Sequence, residues 1–251
     1  MSSTTVETAP MVYPDSDGMP MADNTKQFRA IVTIQGNLEG WFRDRADVFV
    51  AGDLLWYPVE GRPDIRRAPD VLVVFGRPKG DRGSYRQWEE EGIAPQVVFE
   101  VLSPGNTLTE IAAKFEFYDE YGVEEYYLYD PESGDMSGWR REGGRLRVIT
   151  AIDEWVSPRL GIRFARVGDE VRLYLPDGRP FASFVEVQAQ LEQERRRAEA
   201  EQQRAEEAQQ RAEAERQRAE AERQRAEAEF QRAERLAARL RALGIDPDAD
   251  G

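Results

Sequence analysis

The 251-residue chain contains no cysteine and no histidine. The first absence removes disulfides and thiolate nucleophiles, the second removes every His-based triad, and together they remove Cys/His zinc sites. Any chemistry must come from Asp, Glu, Lys, Tyr, Ser or Thr, or from a metal held by oxygen ligands. With no disulfide to indicate an oxidising compartment, the cytoplasm is the expected location. No run approaches the roughly eighteen continuous apolar residues of a membrane span. The opening "MSSTTVETAPMVYPDSDGMP" lacks the basic-then-apolar order of a signal peptide, so no membrane association is expected. Positive charge is also in deficit, with a net charge of −14. From Ser183 onward there are 17 acidic and 13 basic residues, a net of −4, which leaves −10 for the rest. Neither part has the global basic balance of a non-specific nucleic-acid binder, although a local basic patch is compatible with these numbers.

Composition divides the chain into three parts. Residues 1–20, rich in Ser, Thr, Pro and Gly, read as a flexible lead-in. Residues 21–182 are rich in aromatics, Val, Gly and Pro and read as a folded domain. Residues 183–251 have almost no Gly or Pro until their end, and "RAEAERQ" at 211–217 recurs at 218–224 and, as "RAEAEFQ", at 225–231. Ala, Glu, Arg and Gln at that density predict a helix. About sixty residues at about 1.5 Å each would extend about 90 Å. A coiled coil and a solitary helix are both open. Ala212 and Ala214 point to different faces, and no Leu or Ile fills paired core positions through the repeats. Glu215 with Arg218, Arg216 with Glu220 and Glu222 with Arg225 stand at spacings that support a solvated helix. The apolar ends, near Phe184 and Leu191 and near Phe230, Leu236 and Leu240, are where self-association into a homo-oligomer, a dimer first of all, is expected.

The domain reads as mixed α and β. Phe28, Ile31, Val32, Ile34, Gln35 and Leu38 follow helical spacing. "DVFVAGDLLWYPVEG" predicts two strands forming a hairpin around Gly52 and Asp53. "RRAPDVLVVFGRP" and "PQVVFEVLS" predict two more strands. In "NTLTEIAAKFEFYDEYGV", Thr107 with Glu110 forms a capping box. The apolar stripe there is Leu108, Ile111, Ala112, Phe115 and Tyr118. "EEYYLYDPE" is a further strand, "GDMSGWRREGGRLRVI" a hairpin turning at Gly143 and Gly144, and short strands run on to Phe181.

One feature resists a purely structural reading: Glu100 stands inside the apolar run Val97–Leu102. A carboxylate there costs several kcal/mol, roughly, unless it is paired, hydrogen-bonded or bound to a metal. Asp70 opens the preceding strand, and Lys114 falls at the edge of the stripe on the following helix, from which its ammonium could reach back over the sheet. Two carboxylates and an amine without histidine suit phosphodiester hydrolysis. Carboxylates bind Mg²⁺ or Mn²⁺, and a lysine can orient or deprotonate the attacking water and offset charge on the phosphate. Taken singly, Asp70 reads as a turn residue and Lys114 as an exposed helix lysine; Glu100 alone is harder to dismiss, although a buried glutamate paired with an arginine is common.

"PD" at 69–70, "VVFEVLSPGN" at 97–106, Lys114, "YDEYGVEEYYLYDP" at 118–131 and the order of the elements resemble the Uma family of restriction-endonuclease-like proteins in the PD-(D/E)xK nuclease superfamily. The resemblance spans about residues 20–180, and "LYLPDGRPFASFVE" followed by an Arg/Glu/Gln-rich helix extends it. It implies a restriction-endonuclease-like core with a mixed sheet, a β-rich extension and a long C-terminal helix, and Mg²⁺-dependent or Mn²⁺-dependent cleavage of DNA. It further implies that Asp70, Glu100 and the Val101 carbonyl hold the metal, that Lys114 is catalytic and that Tyr118 supports it. The lysine usual two residues after the glutamate is replaced by Leu102, and Lys114 matches a lysine migrated onto the following helix. Members often carry a histidine near the first helix; here Gln27 or Gln35 offers the polar group. The alternative is the same fold kept as an inactive binding or assembly module. Arg66, Arg67, Lys79, Arg82 and Arg86 flank the proposed site in sequence and are candidate phosphate contacts. "GRPKGDRG" lacks the ending of a phosphate-cradling Walker loop.

Overall fold

The computed structural model describes residues 11–16, 18 and 21–243. Its centre is a six-stranded mixed sheet in the order β1-β3-β5-β6-β7-β8. These strands are β1 (Val48–Gly52), β3 (Val71–Phe75), β5 (Val97–Val101), β6 (Glu125–Asp130), β7 (Asp135–Glu142) and β8 (Arg145–Val148). Only β5 and β6 run parallel, joined by α2 (Leu108–Glu120); the other pairs are antiparallel. Short pairs stand apart: β2 (Trp56–Tyr57) with β4 (Tyr85–Arg86), and β9 (Arg163–Val167) with β10 (Glu170–Tyr174).

The sheet is covered on both faces, as the near-continuous apolar strands require. On one face lies α1 (Thr25–Trp41), which buries Ile31, Ile34 and Leu38 against Val97, Phe99 and Val101 and the β9-β10 hairpin. On the other lies α2, which buries Phe117 and Tyr118 against Val98, Leu72 and Trp56. Burying each of those aromatics contributes about 2–3 kcal/mol. The Asn24 side chain caps α1, and the expected Thr107–Glu110 box caps α2. Gly143 and Gly144, both at positive φ (58° and 82°), turn the β7-β8 hairpin.

Two expectations are corrected. The chain does not form a hairpin between β1 and β2; β1 pairs with β3, and β2 leaves the sheet to pair in parallel with β4. Asp53, at φ 49°, makes the turn away, and its N–H donates to the Asp70 carbonyl at 3.3 Å. The stripe of α2 is also displaced: Leu108 is 86% exposed and Phe117 is buried instead, because the helix crosses the sheet with its C-terminal half inward.

Most of the expected lead-in over 1–20 lies outside the described residues, as does the end of the chain beyond 243. The described part touches the domain: the Tyr57 hydroxyl donates to the Pro14 carbonyl at 2.6 Å, and the ring of Tyr13 meets Tyr57 edge-on. Chain contacts divide the protein at Val187/Gln188. The helix α3 (Phe184–Ala242) opens at Ser183, which exchanges reciprocal capping bonds with Glu186. Ion pairs at i,i+4 spacing join Glu192 to Arg196, Arg195 to Glu199 and Glu207 to Arg211, nearer its start than the expected pairs. None of its described residues is buried, and no described helix is long and apolar enough to cross a membrane.

Candidate active site

Strand alternation decides where Glu100 points. Val97, Phe99 and Val101 face α1, so Val98 and Glu100 face α2. The β3-β5 register pairs Val71 with Phe99, which sets Asp70, one residue before β3, opposite Glu100. Lys114 and Tyr118, four apart on α2, share the helix face above that strand. Thus Asp70, Glu100 and Lys114 are brought together at one end of the sheet.

Both carboxylates are buried, Glu100 at 2% and Asp70 at 8% exposure. Lys114 Nζ lies 2.6 Å from Glu100 Oε2, and the buried Tyr118 hydroxyl donates to Glu100 Oε1. Tyr118 therefore supports the carboxylate directly and not Lys114. Asp70 Oδ2 accepts from the Val101 N–H at 2.6 Å. Burial first, and the Glu100 charge second, push the Asp70 carboxyl up to about 8. For Lys114, burial works to lower the ammonium's pKa, but Glu100 and Asp70 outweigh it, so the group is raised and stays protonated. Tyr118 is held well above the ordinary phenol range by burial and by Glu100.

The backbone carbonyl of Val101 is occupied by Gln27, whose Nε2 donates to it at 2.9 Å across the sheet from α1. Gln27 Oε1 accepts from the Asp23 N–H at 2.8 Å, and the Ser103 hydroxyl donates to Asp23. Of the two glutamines, Gln27 is at the site; Gln35 bonds Glu39 instead. Asp23 and Ser103 gave no signal in the sequence, since an isolated Asp and Ser in loops are ordinary turn residues. A narrow crevice of about 10 Å³, room for about one water, opens beside Glu100 and Lys114, bounded by Asn106, Glu110 and Leu128.

The flanking cations are distributed unevenly. Arg67 places its guanidinium 5.5 Å from the Phe117 ring centre, close enough to act on the Lys114 charge. Arg66 donates to the Pro63 carbonyl. Arg82 is clamped by Glu90 at 2.6 Å and stacks 4.0 Å over Phe49. Arg86 meets Glu89 and the Tyr13 ring. Lys79 is exposed in a separate cleft beside β1.

A mixed sheet covered by helices on both faces, with Asp70, Glu100 and Lys114 at one end, makes this a mixed α/β protein. The model of the Uma2 family, described as "Putative restriction endonuclease", matches residues 17–162, more than half of the chain, and the chain belongs to that family. Among solved structures it is similar to "a putative nuclease belonging to DUF820" from Anabaena variabilis, at 15% identity over 60% of this chain and 84% of that one, with a TM-score of 0.40. Family membership rests on the matched model and not on that likeness. No curated protein matches the chain.

Proposed function

We propose that the protein is a cytoplasmic, metal-dependent endonuclease that hydrolyses DNA phosphodiester bonds at the Asp70–Glu100–Lys114 site. The observation that carries this reading is the meeting of two buried carboxyl groups with a single lysine in a desolvated place. Burial first, and the Glu100 charge second, keep the Asp70 carboxyl protonated at neutral pH in the metal-free protein, and a bound cation would let both groups ionise. The donor set is hard oxygen throughout and fits Mg²⁺ or Mn²⁺. Asp70, Glu100 and the Val101 carbonyl would hold the ion, Gln27 yielding the carbonyl. The chemistry such an ion supplies when bound is charge neutralisation at the scissile phosphate and acidification of water. Lys114, protonated and anchored on Glu100, orients the attacking water and offsets charge on the phosphate; its raised pKa favours this electrostatic role over proton abstraction. Tyr118 fixes the Glu100 rotamer. Arg66 and Arg67, nearest the site in the chain, are the proposed phosphate contacts.

A second reading is supported by one observation: both Glu100 oxygens are satisfied within the protein. An inactive relative would keep this clamp as a structural element of a binding or assembly module. Nicking of supercoiled plasmid with Mg²⁺ or Mn²⁺ separates the two. The endonuclease reading expects nicking by the native chain and its loss in Glu100→Ala and Lys114→Ala. Nicking that survives both variants, or no nicking with either ion, goes against it.

A further inference from the structure

The long helix carries a line that its repeat units obscure. Phe184, Leu191, Ala198, Ala205, Ala212, Ala219, Ala226, Ala233 and Leu240 follow one another at intervals of seven residues without interruption. On a straight helix a strict seven-residue line drifts by about 20° per repeat, so it stays on one face only when helices supercoil around one another. Pairing at i,i+4 within a lone helix requires no such line. The large apolar residues keep the same register. Val187, Leu236 and Leu243 fall three residues after members of the line, and only Val185 and Phe230 fall elsewhere. Phe184 is 72% exposed and Leu191 53% exposed, so this stripe is bare along the helix at its start.

The shoulders of the line are charged, and they differ. Three residues after the alanines stand Glu201, Glu215, Glu222 and Glu229, with Ala208 and Leu236 the exceptions. Four residues after stand Gln202, Gln209, Arg216, Arg223 and Phe230. At about 3.5 residues per turn these positions lie on opposite sides of the line, about 50° from it. Through the middle of the helix, glutamate along one shoulder prevents the usual two-position apolar seam, so helices meet there along the alanines, whose small side chains permit close approach; Val187, Leu236 and Leu243 restore the second apolar position at the two ends. A parallel two-fold pair sets the Glu shoulder of one copy against the Arg shoulder of the other, Glu215 against Arg216 of the partner subunit and Glu222 against Arg223 of the partner subunit. An antiparallel pair sets Glu against Glu and Arg against Arg. Flanking charges of this kind select helix orientation.

We propose that α3 is the seam of a parallel, in-register homodimer, closed along the line from Phe184 to Leu240 with a second copy of this chain. The two Phe184 residues lie side by side, so two copies of the domain join the seam at the same end. This stands independently of the nuclease reading.

The absence of cysteine makes the test direct. Single Ala198→Cys and single Ala226→Cys chains are oxidised separately and as a mixture, with Gln203→Cys on the outer face as control. Sedimentation of the unmodified full chain accompanies them. The expected result is a dimeric mass, disulfide-linked dimer from Ala198→Cys alone and from Ala226→Cys alone, and none from Gln203→Cys. A monomeric mass at micromolar concentration overturns the proposal. So does linkage only in the 198/226 mixture, which is the antiparallel outcome, and so does equal linkage through Gln203→Cys.

Discussion

Lys114 reaches back across the sheet edge to Glu100, its Nζ 2.6 Å from Oε2. The two residues lie fourteen positions apart, on α2 and β5, and the parallel β5-α2-β6 unit folds one over the other. The contact gives the Glu100 carboxylate a counter-charge in a place where it has almost no water.

Removing that counter-charge destabilises the domain. Lys114→Met is expected to cost about 1–3 kcal/mol at neutral pH, less than the full loss of a buried pair because the ammonium is 30% exposed. Urea denaturation of the native chain and Lys114→Met at pH 7.5 checks this; equal stability of the two would mean that the pair contributes nothing net.

Asp70 gives the metal-free protein a pH dependence of definite sign. Its folded pKa of about 8 stands above the ordinary 3.8, so the folded state binds a proton that the unfolded state releases. Stability from this group is complete below about pH 4 and is lost as pH rises toward 8. In chelator, Tm should fall across that window, and Asp70→Asn should flatten the fall. A variant with the native slope would show that Asp70 does not titrate there.

How much of this was legible in the sequence depended on whether a residue contradicted its surroundings. Glu100 stood out because a charge interrupted an apolar strand, and Asp70 and Lys114 acquired meaning from their order around it. The core strands were legible as continuous Val-rich runs, since a sheet covered on both faces needs no alternation. Gln27 was one of two equivalent candidates, and only the crossing of α1 over β5 chose it. The path of β2 carries no sequence signal, because a two-residue strand leaves no periodicity. The stripe of α2 shifted from Leu108 to Phe117 because the angle at which a helix crosses its sheet is tertiary information. Glu125 passed as the first residue of a strand, although it is buried.

Gln27→Leu removes the donor to the Val101 carbonyl and the acceptor for the Asp23 N–H. Two backbone groups lose partners, which costs about 1–3 kcal/mol each where water cannot replace them. Guanidinium midpoints of the native chain and Gln27→Leu measure it. A neutral result would show that water enters from the Asp23 side.

Divalent metal should raise Tm, through Asp70 and Glu100. At a hundredfold excess over Kd the gain is about 2.7 kcal/mol. EDTA should reverse it, and Glu100→Gln should abolish it. An equal gain in the variant would place the ion somewhere other than this site.

Glu125 is a third buried carboxylate, with a purely structural circle of donors. Its Oε2 accepts from the Tyr127 hydroxyl at 3.0 Å and from the Ser157 hydroxyl, and its Oε1 accepts from the Arg159 N–H at 2.9 Å. The group thus ties the start of β6 to the loop before β9. Burial raises its pKa above the usual range although these donors oppose the shift. Glu125→Leu leaves three donors without an acceptor and should cost about 3 kcal/mol or more, whereas Glu125→Gln keeps one acceptor oxygen and should cost less. Thermal melts of the three proteins give the order. Nicking measured below the melting transition should be unchanged in both variants, because Glu125 begins β6 whereas Glu100 pairs with Leu128 further along it. Loss of nicking in a folded Glu125→Gln protein would mean that Glu125 acts together with Glu100.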